Sequence, residues 1–106
     1  MKGNVYYNDT FSGTIEETDS GFRFMYDKQY VEVKGNPISV TLPLSIEPYE
    51  SNTMFPFFDG LIPEGWLLDI AAEYWKIKPN DRMKLLLTVC EDCIGAVSVV
   101  NQDKDE

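Results

Sequence analysis

The stretch FPFFDGLIPEGW, residues 55–66, is the most informative part of this chain. Two prolines and two glycines fall within these twelve residues and interrupt any regular helix or strand. Four large aromatic side chains stand beside these breakers, so they need either a shaped pocket or a binding partner. One interpretation is an aromatic loop that plugs the core, because large apolar side chains are usually buried. The other is a surface that docks onto a second protein.

The residues before this stretch predict β-structure. Runs rich in aromatic and β-branched residues are separated by the turn signals Asn8-Asp9 and Asp19-Ser20-Gly21, and they cover residues 5–7, 11–17 and 22–26. Apolar residues alternate with period two over 38–44 and predict a further strand, which Pro43 ends early or restricts to a sheet edge. Residues 30–33 suit either another short strand or an irregular extension.

The residues from Pro63 onward predict helices. Pro63 suits the first turn of a helix, and Glu64 beside it complements the helix dipole. Apolar residues then follow at helical spacing and form one stripe: Trp66, Leu67, Ile70, Ala71 and Tyr74. Asn80 is the expected N-cap of a second helix over 81–90, with one apolar face made of Met83, Leu86, Leu87 and Cys90. A final strand is expected over 96–100.

These elements predict an α+β fold, a small curved antiparallel sheet of about five strands packed with two helices. The length of 106 residues suits a single domain, which we place at 1–101 with an acidic, disordered tail at 102–106. No apolar run approaches the roughly 20 residues of a membrane-spanning helix. The chain starts Met1-Lys2-Gly3-Asn4 and enters a polar strand, so we expect no signal peptide, no membrane contact and a cytoplasmic location.

The charge distribution limits the possible partners. The net charge of −9 argues against direct binding of nucleic acid, because phosphate contacts need clustered Lys and Arg side chains. Residues 35–75 contain no Lys or Arg at all, although they contain six acidic residues. An acidic surface around an aromatic motif suits docking onto a basic protein face. The alternative is plain solubility, since acidic surfaces are common among soluble proteins.

Most enzyme chemistry is excluded by residues that the chain lacks. Histidine is absent, which removes Ser-His-Asp and Cys-His catalysis and histidine metal sites. Cys90 and Cys93 form a C-x-x-C at the end of a predicted helix, where the helix dipole does not lower a thiol pKa. There is no Gly-rich phosphate loop and no H-R-D or D-F-G element of a kinase. We therefore expect a protein that is not an enzyme and has no cofactor and no metal.

The aromatic stretch resembles the FFxGLLPEG segment of HipA-type proteins, the serine/threonine kinase toxins of bacterial toxin–antitoxin systems. That segment belongs to their small N-terminal domain, not to their kinase core. Further segments resemble the same domain in the same order, over about residues 4 to 100: Val5-Tyr6-Tyr7-Asn8, Phe22-Arg23-Phe24-Met25-Tyr26, Ile38-Ser39-Val40-Thr41-Leu42-Pro43-Leu44 and Asp92-Cys93-Ile94-Gly95-Ala96-Val97. The resemblance implies a domain that sits beside the nucleotide-binding lobe of a kinase.

The sequence begins just before the first predicted strand and ends shortly after the last one, so we expect a stand-alone form of this domain. Such a form is similar to the HipS antitoxins of three-component HipBST-type systems, in which the kinase core is a separate chain. The resemblance implies a regulatory module that binds a HipA-like kinase core in trans and restrains it. A helix-turn-helix repressor would then be reached through the kinase complex.

The partner-binding surface expected from this resemblance consists of Phe57, Phe58, Asp59, Glu64 and Trp66. Trp66 is the preferred anchor, because Trp is a leading hot-spot residue at interfaces, although it would equally suit the domain's own core. The alternative function is a structural subunit of a split kinase, which supports the kinase core without inhibiting it. A neighbouring reading frame for a kinase core that lacks this domain would favour the regulatory function.

Overall fold

A five-stranded antiparallel sheet with associated helices forms the fold and confirms the α+β class. The computed structural model describes residues 1–62, 73–74, 76, 81–89 and 96–102. The sheet order is β4-β3-β2-β1-β5, with strands β1 (Lys2–Tyr7), β2 (Thr10–Thr18), β3 (Gly21–Tyr26), β4 (Tyr49–Ser51) and β5 (Val97–Asn101). The described residues include three helices, α1 (Lys28–Glu32), α2 (Pro56–Asp59) and α3 (Arg82–Val89).

The hairpin of β1 and β2 shows why local sequence forms these strands. Its two-residue turn is Asn8-Asp9, and both residues have positive φ, at 48° and 68°. A turn of this kind matches the right-handed twist of the strands, and Asn and Asp tolerate its backbone angles better than most residues. Ser12 is the extra residue of a bulge, and its hydroxyl donates a 3.0 Å hydrogen bond to the Val5 carbonyl.

One face of the sheet carries the core. Val5, Ile15, Phe24 and Val99 stand on neighbouring strands and are completely buried. Helix α3 lies directly on this face, because a Cβ added to Gly3 would stand 2.5 Å from Leu87 Cδ2. Burying an aliphatic or aromatic side chain of this kind stabilises the fold by about 1.5–3 kcal/mol. The opposite face of the same strands carries Asn4, Thr14 and Met25, which stand at neighbouring positions.

Strands β1, β2, β3 and β5 confirm the sequence prediction. Their limits differ slightly from the expected ones. The helix expected over 81–90 is α3, and Leu85 is buried in addition to Met83, Leu86 and Leu87. Its N-cap is Asp81 rather than the predicted Asn80, since the Asp81 carboxylate accepts a hydrogen bond from the Lys84 N–H at 3.2 Å. Asn80 and Cys90 lie outside the described residues.

Two predictions between β3 and β4 are wrong. Residues 30–33 do not form a strand, because Asp27 caps the short helix α1 by accepting a hydrogen bond from the Tyr30 N–H at 3.3 Å. Residues 38–44 do not form a strand either, and their only ladder contact among the described residues is an isolated bridge between Ser39 and Leu42. That bridge closes a tight turn, which leaves Val40 exposed instead of buried. The fourth strand is Tyr49–Ser51 instead.

The predicted helix that begins at Pro63 lies largely outside the described residues. Of that stretch, Glu73 and Tyr74 are described, and both have helical backbone. Tyr74 was expected on the apolar stripe of this helix, yet its side chain is 77% exposed. The prediction for Tyr74 is therefore wrong. Its phenol hydroxyl can hydrogen-bond to water, so exposure costs this side chain less than it would cost an aliphatic one. The tail residues 103–106 also lie outside the described residues.

Candidate protein-binding site

Helix α2 positions the first half of the aromatic stretch. It begins at Pro56, whose fixed φ suits the first helical position, and it ends at Gly60, whose N–H donates to the Pro56 carbonyl at 2.9 Å. The sequence prediction placed a proline-started helix only at Pro63 and missed this one, although Pro56 carried the same signal. The described part of the stretch is thus a single helical turn followed by a bend, so 55–66 is not one uninterrupted helix.

Phe58 is a core residue. Its side chain is completely buried and packs against three other aromatic rings at centroid distances of 5.3 to 6.2 Å: Phe24, Phe55 and Phe57. Edge and tilted ring contacts of this kind add about 0.5–1.5 kcal/mol each to the burial of the rings. Two aromatics of the stretch, Phe55 and Phe58, are therefore buried in the core, and the completely buried Phe58 side chain contributes no surface to a partner.

Asp59 joins two helices. Its carboxylate accepts a hydrogen bond from Arg82 Nε at 2.7 Å, which links the end of α2 to the start of α3. The Asp59 side chain is 45% exposed and the Arg82 side chain 26%, so water screens this ion pair only in part. The carboxylate thus has a structural role in the isolated chain while one side of it remains open to solvent.

Of the five predicted surface residues, the structure therefore brings two to accessible positions. Phe57 is half-buried and packs its ring against Phe58, and Asp59 lies beside it at the end of α2. The side chain of Phe58 points into the core. Glu64 and Trp66 lie outside the described residues. The described part of the surface consists of Phe57 and Asp59, with Arg82 next to them.

The acidic field expected over 35–75 is partly neutralised within the described residues. Arg23 lies on the outer face of the sheet and pairs with Glu50 at 3.1 Å and with Glu16 at 3.5 Å. Asp59 pairs with Arg82. Both bases come from outside the stretch that lacks Lys and Arg, so sequence position alone overstated its local charge. Glu47 makes no ion pair with any described residue.

Three tyrosines form a second feature that the sequence prediction missed. The buried Tyr26 phenol accepts a hydrogen bond from the Ile38 N–H at 3.0 Å and donates one to the Leu42 carbonyl. Tyr30 donates to the Asn36 carbonyl at 2.6 Å, and Tyr49 donates to the Pro43 carbonyl at 2.7 Å. All three phenols thereby hold the segment between α1 and β4. No local sequence pattern predicts such contacts, because they join residues that are not neighbours in sequence.

Burial raises the pKa of the Tyr26 phenol above its ordinary value of 10.0, and the hydrogen bond from the Ile38 N–H opposes this shift. Burial likewise raises the pKa of Tyr30. Both phenols stay protonated at neutral pH and act as hydrogen-bond donors to backbone carbonyls. Their hydrogen bonds hold the segment in place.

The described ranges contain neither a candidate metal-binding cluster nor a membrane-spanning helix. Within them, no three acidic or cysteine side chains come close enough together to hold a metal ion. Cys90 and Cys93 both fall outside these ranges. None of the helices in the described part of the chain is long and apolar enough to cross a bilayer.

The open antiparallel sheet, with helices packed on one face and an aromatic helical turn, defines a small α+β domain. Its sequence matches the HipA N-terminal domain family over residues 3–100, and the chain belongs to that family. Family membership makes it a module related to toxin–antitoxin systems.

Two relatives show how this domain occurs. The chain is 36% identical over 97 residues to an uncharacterized protein of Haemophilus influenzae, and the match covers 92% of this chain and 89% of that protein. It is 26% identical over 104 residues to the putative kinase Y4mE of Sinorhizobium fredii. That match covers 96% of this chain but 25% of the putative kinase, so the chain spans about a quarter of that protein.

Solved structures agree with the sequence comparison. The N-terminal domain of a HipA toxin superposes with a TM-score of 0.76 at 32% identity, covering 97% of this chain and 93% of that one. HipA in the Shewanella oneidensis complex of HipA, HipB and operator DNA gives a TM-score of 0.75 at 23% identity. The superposition covers 95% of this chain and 24% of that one, and it shows a shared fold. The first match spans nearly the whole of the solved chain, whereas the second spans about a quarter of it.

Proposed function

We propose that this chain is a non-catalytic binding module that associates in trans with a separate HipA-like serine/threonine kinase core and restrains it. The observation that carries this proposal is the twofold occurrence of the domain. It forms about a quarter of a putative kinase, and it also accounts for nearly nine tenths of a relative at its own length. A domain that occurs both within a longer putative kinase and in a chain of about its own length is suited to act on a kinase core to which it is not covalently joined.

The aromatic stretch supplies the proposed contact surface. Phe57 and Asp59 are accessible, and we include Glu64 and Trp66 from the same stretch on the basis of the family resemblance. The kinase lobe that binds nucleotide is the proposed target, because the family resemblance implies that the corresponding domain of HipA-like proteins sits beside that lobe. Binding there would hold the lobe in one arrangement and lower the rate of phosphoryl transfer.

The test is a binding and activity measurement with a HipA-like kinase core encoded without this domain in the same genome. Restraint predicts a stable complex and a kinase activity that falls as the chain is added. A complex in which kinase activity rises or stays constant would instead support the structural-subunit alternative. Absence of any complex would overturn the proposal.

Trp66→Ala separates two roles for the preferred anchor. As an interface anchor, this substitution should weaken the complex by about 2 kcal/mol or more and leave thermal melting unchanged. As a core residue, it should destabilise the domain itself by about 3–5 kcal/mol. Normal melting together with undiminished kinase binding would remove Trp66 from the proposed site.

A further inference from the structure

The connection between β3 and β4 is far longer than its geometry requires. Phe24 of β3 is the ladder partner of Tyr49 of β4, so a tight hairpin could join these neighbouring antiparallel strands. The chain instead makes helix α1 and then follows an irregular path over residues 33–48. Irregular loops of more than about 12–15 residues are uncommon in compact domains and usually have a binding or other functional role. Val33 is the C-cap of α1, and we call residues 35–48 the clamped loop.

The clamped loop is held firmly in place. Ile38 and Leu42 bury their side chains in the core, at 5% and 4% exposure. The Tyr26 phenol bonds to the backbone of both residues, and the Tyr30 and Tyr49 phenols hold the loop on either side. A loop that is ordered before binding loses less conformational entropy when a partner arrives. The described contacts therefore give this loop the preorganisation of a binding element.

The tip of the clamped loop presents an apolar side chain to solvent. Val40 and Thr41 are the central residues of a tight turn, closed by a 3.1 Å hydrogen bond from the Leu42 N–H to the Ser39 carbonyl. The Ser39 and Thr41 hydroxyls lie 2.9 Å apart, and the Thr41 N–H donates to Ser39 Oγ at 3.2 Å. Val40 is 95% exposed at this tip. A β-branched aliphatic gains nothing for stability at such a position.

The segment that carries this tip is depleted in charge. Residues 35–46 contain no Asp, Glu, Lys or Arg, although charged residues make up 25% of the chain. Depletion of charge is the compositional mark of the centre of a protein interface. A second copy of this chain is a poor occupant, because each copy carries a net charge of −9 and two copies repel one another.

We propose that the clamped loop is a second docking element, which inserts Val40 into an apolar pocket on the HipA-like kinase core. This inference rests on the proposed function, and it adds a contact that is separate in sequence from the aromatic stretch. The kinase core is the occupant because the domain forms a quarter of a putative kinase, so the remainder of such a protein is the partner its surface has to fit. The uncharged tip supplies the apolar contact, and the tyrosine clamp fixes its position.

The test compares two exposed valines in a binding assay with the same kinase core. Val40→Ser removes the proposed anchor and should raise the dissociation constant by about tenfold, as expected for losing the burial of one aliphatic side chain. Val33→Ser is the matched control. Val33 is 69% exposed and lies outside the uncharged stretch, so its replacement should change the dissociation constant by less than about twofold. Thermal melting is measured for both variants, and neither should shift it.

The outcomes separate the two proposals. Wild-type binding that Val40→Ser leaves unchanged overturns the docking role of the clamped loop and leaves the proposed function intact. Equal weakening by both valine substitutions also overturns it, because the effect would not be specific to the tip. Failure of the wild-type chain to bind any HipA-like core overturns both proposals together. Self-association of the wild-type chain that Val40→Ser abolishes would make a second copy the occupant, and the kinase assignment would then be wrong.

Discussion

Gly21 shows how a single residue permits the pairing of β3 with β4. Its φ of +151° lies in a region that L-residues with side chains rarely adopt. A Cβ at this position would stand 2.1 Å from the Ser51 carbonyl oxygen and 2.8 Å from Asn52 Cα. Neither backbone atom can move without displacing β4, which is only three residues long.

Gly21→Ala should therefore lower the free energy of unfolding by about 1–3 kcal/mol or more, measured by chemical denaturation. Gly60→Ala is the matched control. Gly60 has an ordinary helical φ of −67°, and the nearest atom to an added Cβ is the Pro56 carbonyl oxygen at 3.3 Å. Its effect should stay within about 1 kcal/mol of the wild type. Equal losses at both glycines would contradict the steric explanation.

The raised pKa of the Tyr26 phenol predicts a loss of stability at alkaline pH. Because its pKa is raised in the folded chain, the unfolded chain loses this proton first as the pH rises. The stabilising contribution is thus complete below pH 10 and is lost as the pH climbs from the ordinary tyrosine pKa towards the raised value. Denaturation curves should show unfolding free energy falling above pH 10, and Tyr26→Phe should reduce that fall. An identical alkaline slope in Tyr26→Phe would argue against this assignment.

At the scale of elements, the Asp59–Arg82 pair links α2 to α3. Asp59→Asn should lower the free energy of unfolding by less than about 1 kcal/mol, because the pair is partly exposed and water screens it. The loss should shrink further at high salt. Glu50→Gln is the control, since Glu50 is more exposed, at 63%, in its pair with Arg23. A salt-independent loss at Asp59 would mean that packing, rather than charge, joins these helices.

The strands were predictable where the determinants are local. Runs rich in aromatic and β-branched residues, together with the Asn8-Asp9 turn, were sufficient to place β1, β2 and β3 within a few residues. The segment 38–44 misled because its alternation fits a strand, whereas the Tyr26 phenol bonds to the backbone of Ile38 and Leu42 on either side of a turn. That contact joins residues distant in sequence and cannot be found from periodicity. The ion pair of Asp59 with Arg82 was not foreseen either, because it too joins residues distant in sequence.

At the scale of the whole molecule, the sheet uses one face for its own core and leaves the rest of the surface for contacts. The aromatic stretch serves both purposes, since Phe58 fills the core while Phe57 and Asp59 remain accessible. The clamped loop has the same division, with Ile38 and Leu42 buried and Val40 exposed. Each proposed binding element is thus anchored to the core by its own neighbours, which keeps its geometry fixed before a partner binds.

The most direct test of the central claim is a titration of a HipA-like kinase core, encoded without this domain, with the purified chain while phosphoryl transfer is measured. Restraint in trans predicts that activity falls with added chain and reaches a plateau at a fixed molar ratio. Val40→Ser should shift the titration to higher concentrations, whereas Val33→Ser should leave it unchanged. Kinase activity that remains constant or rises across the whole titration, with the complex formed, would contradict the claim.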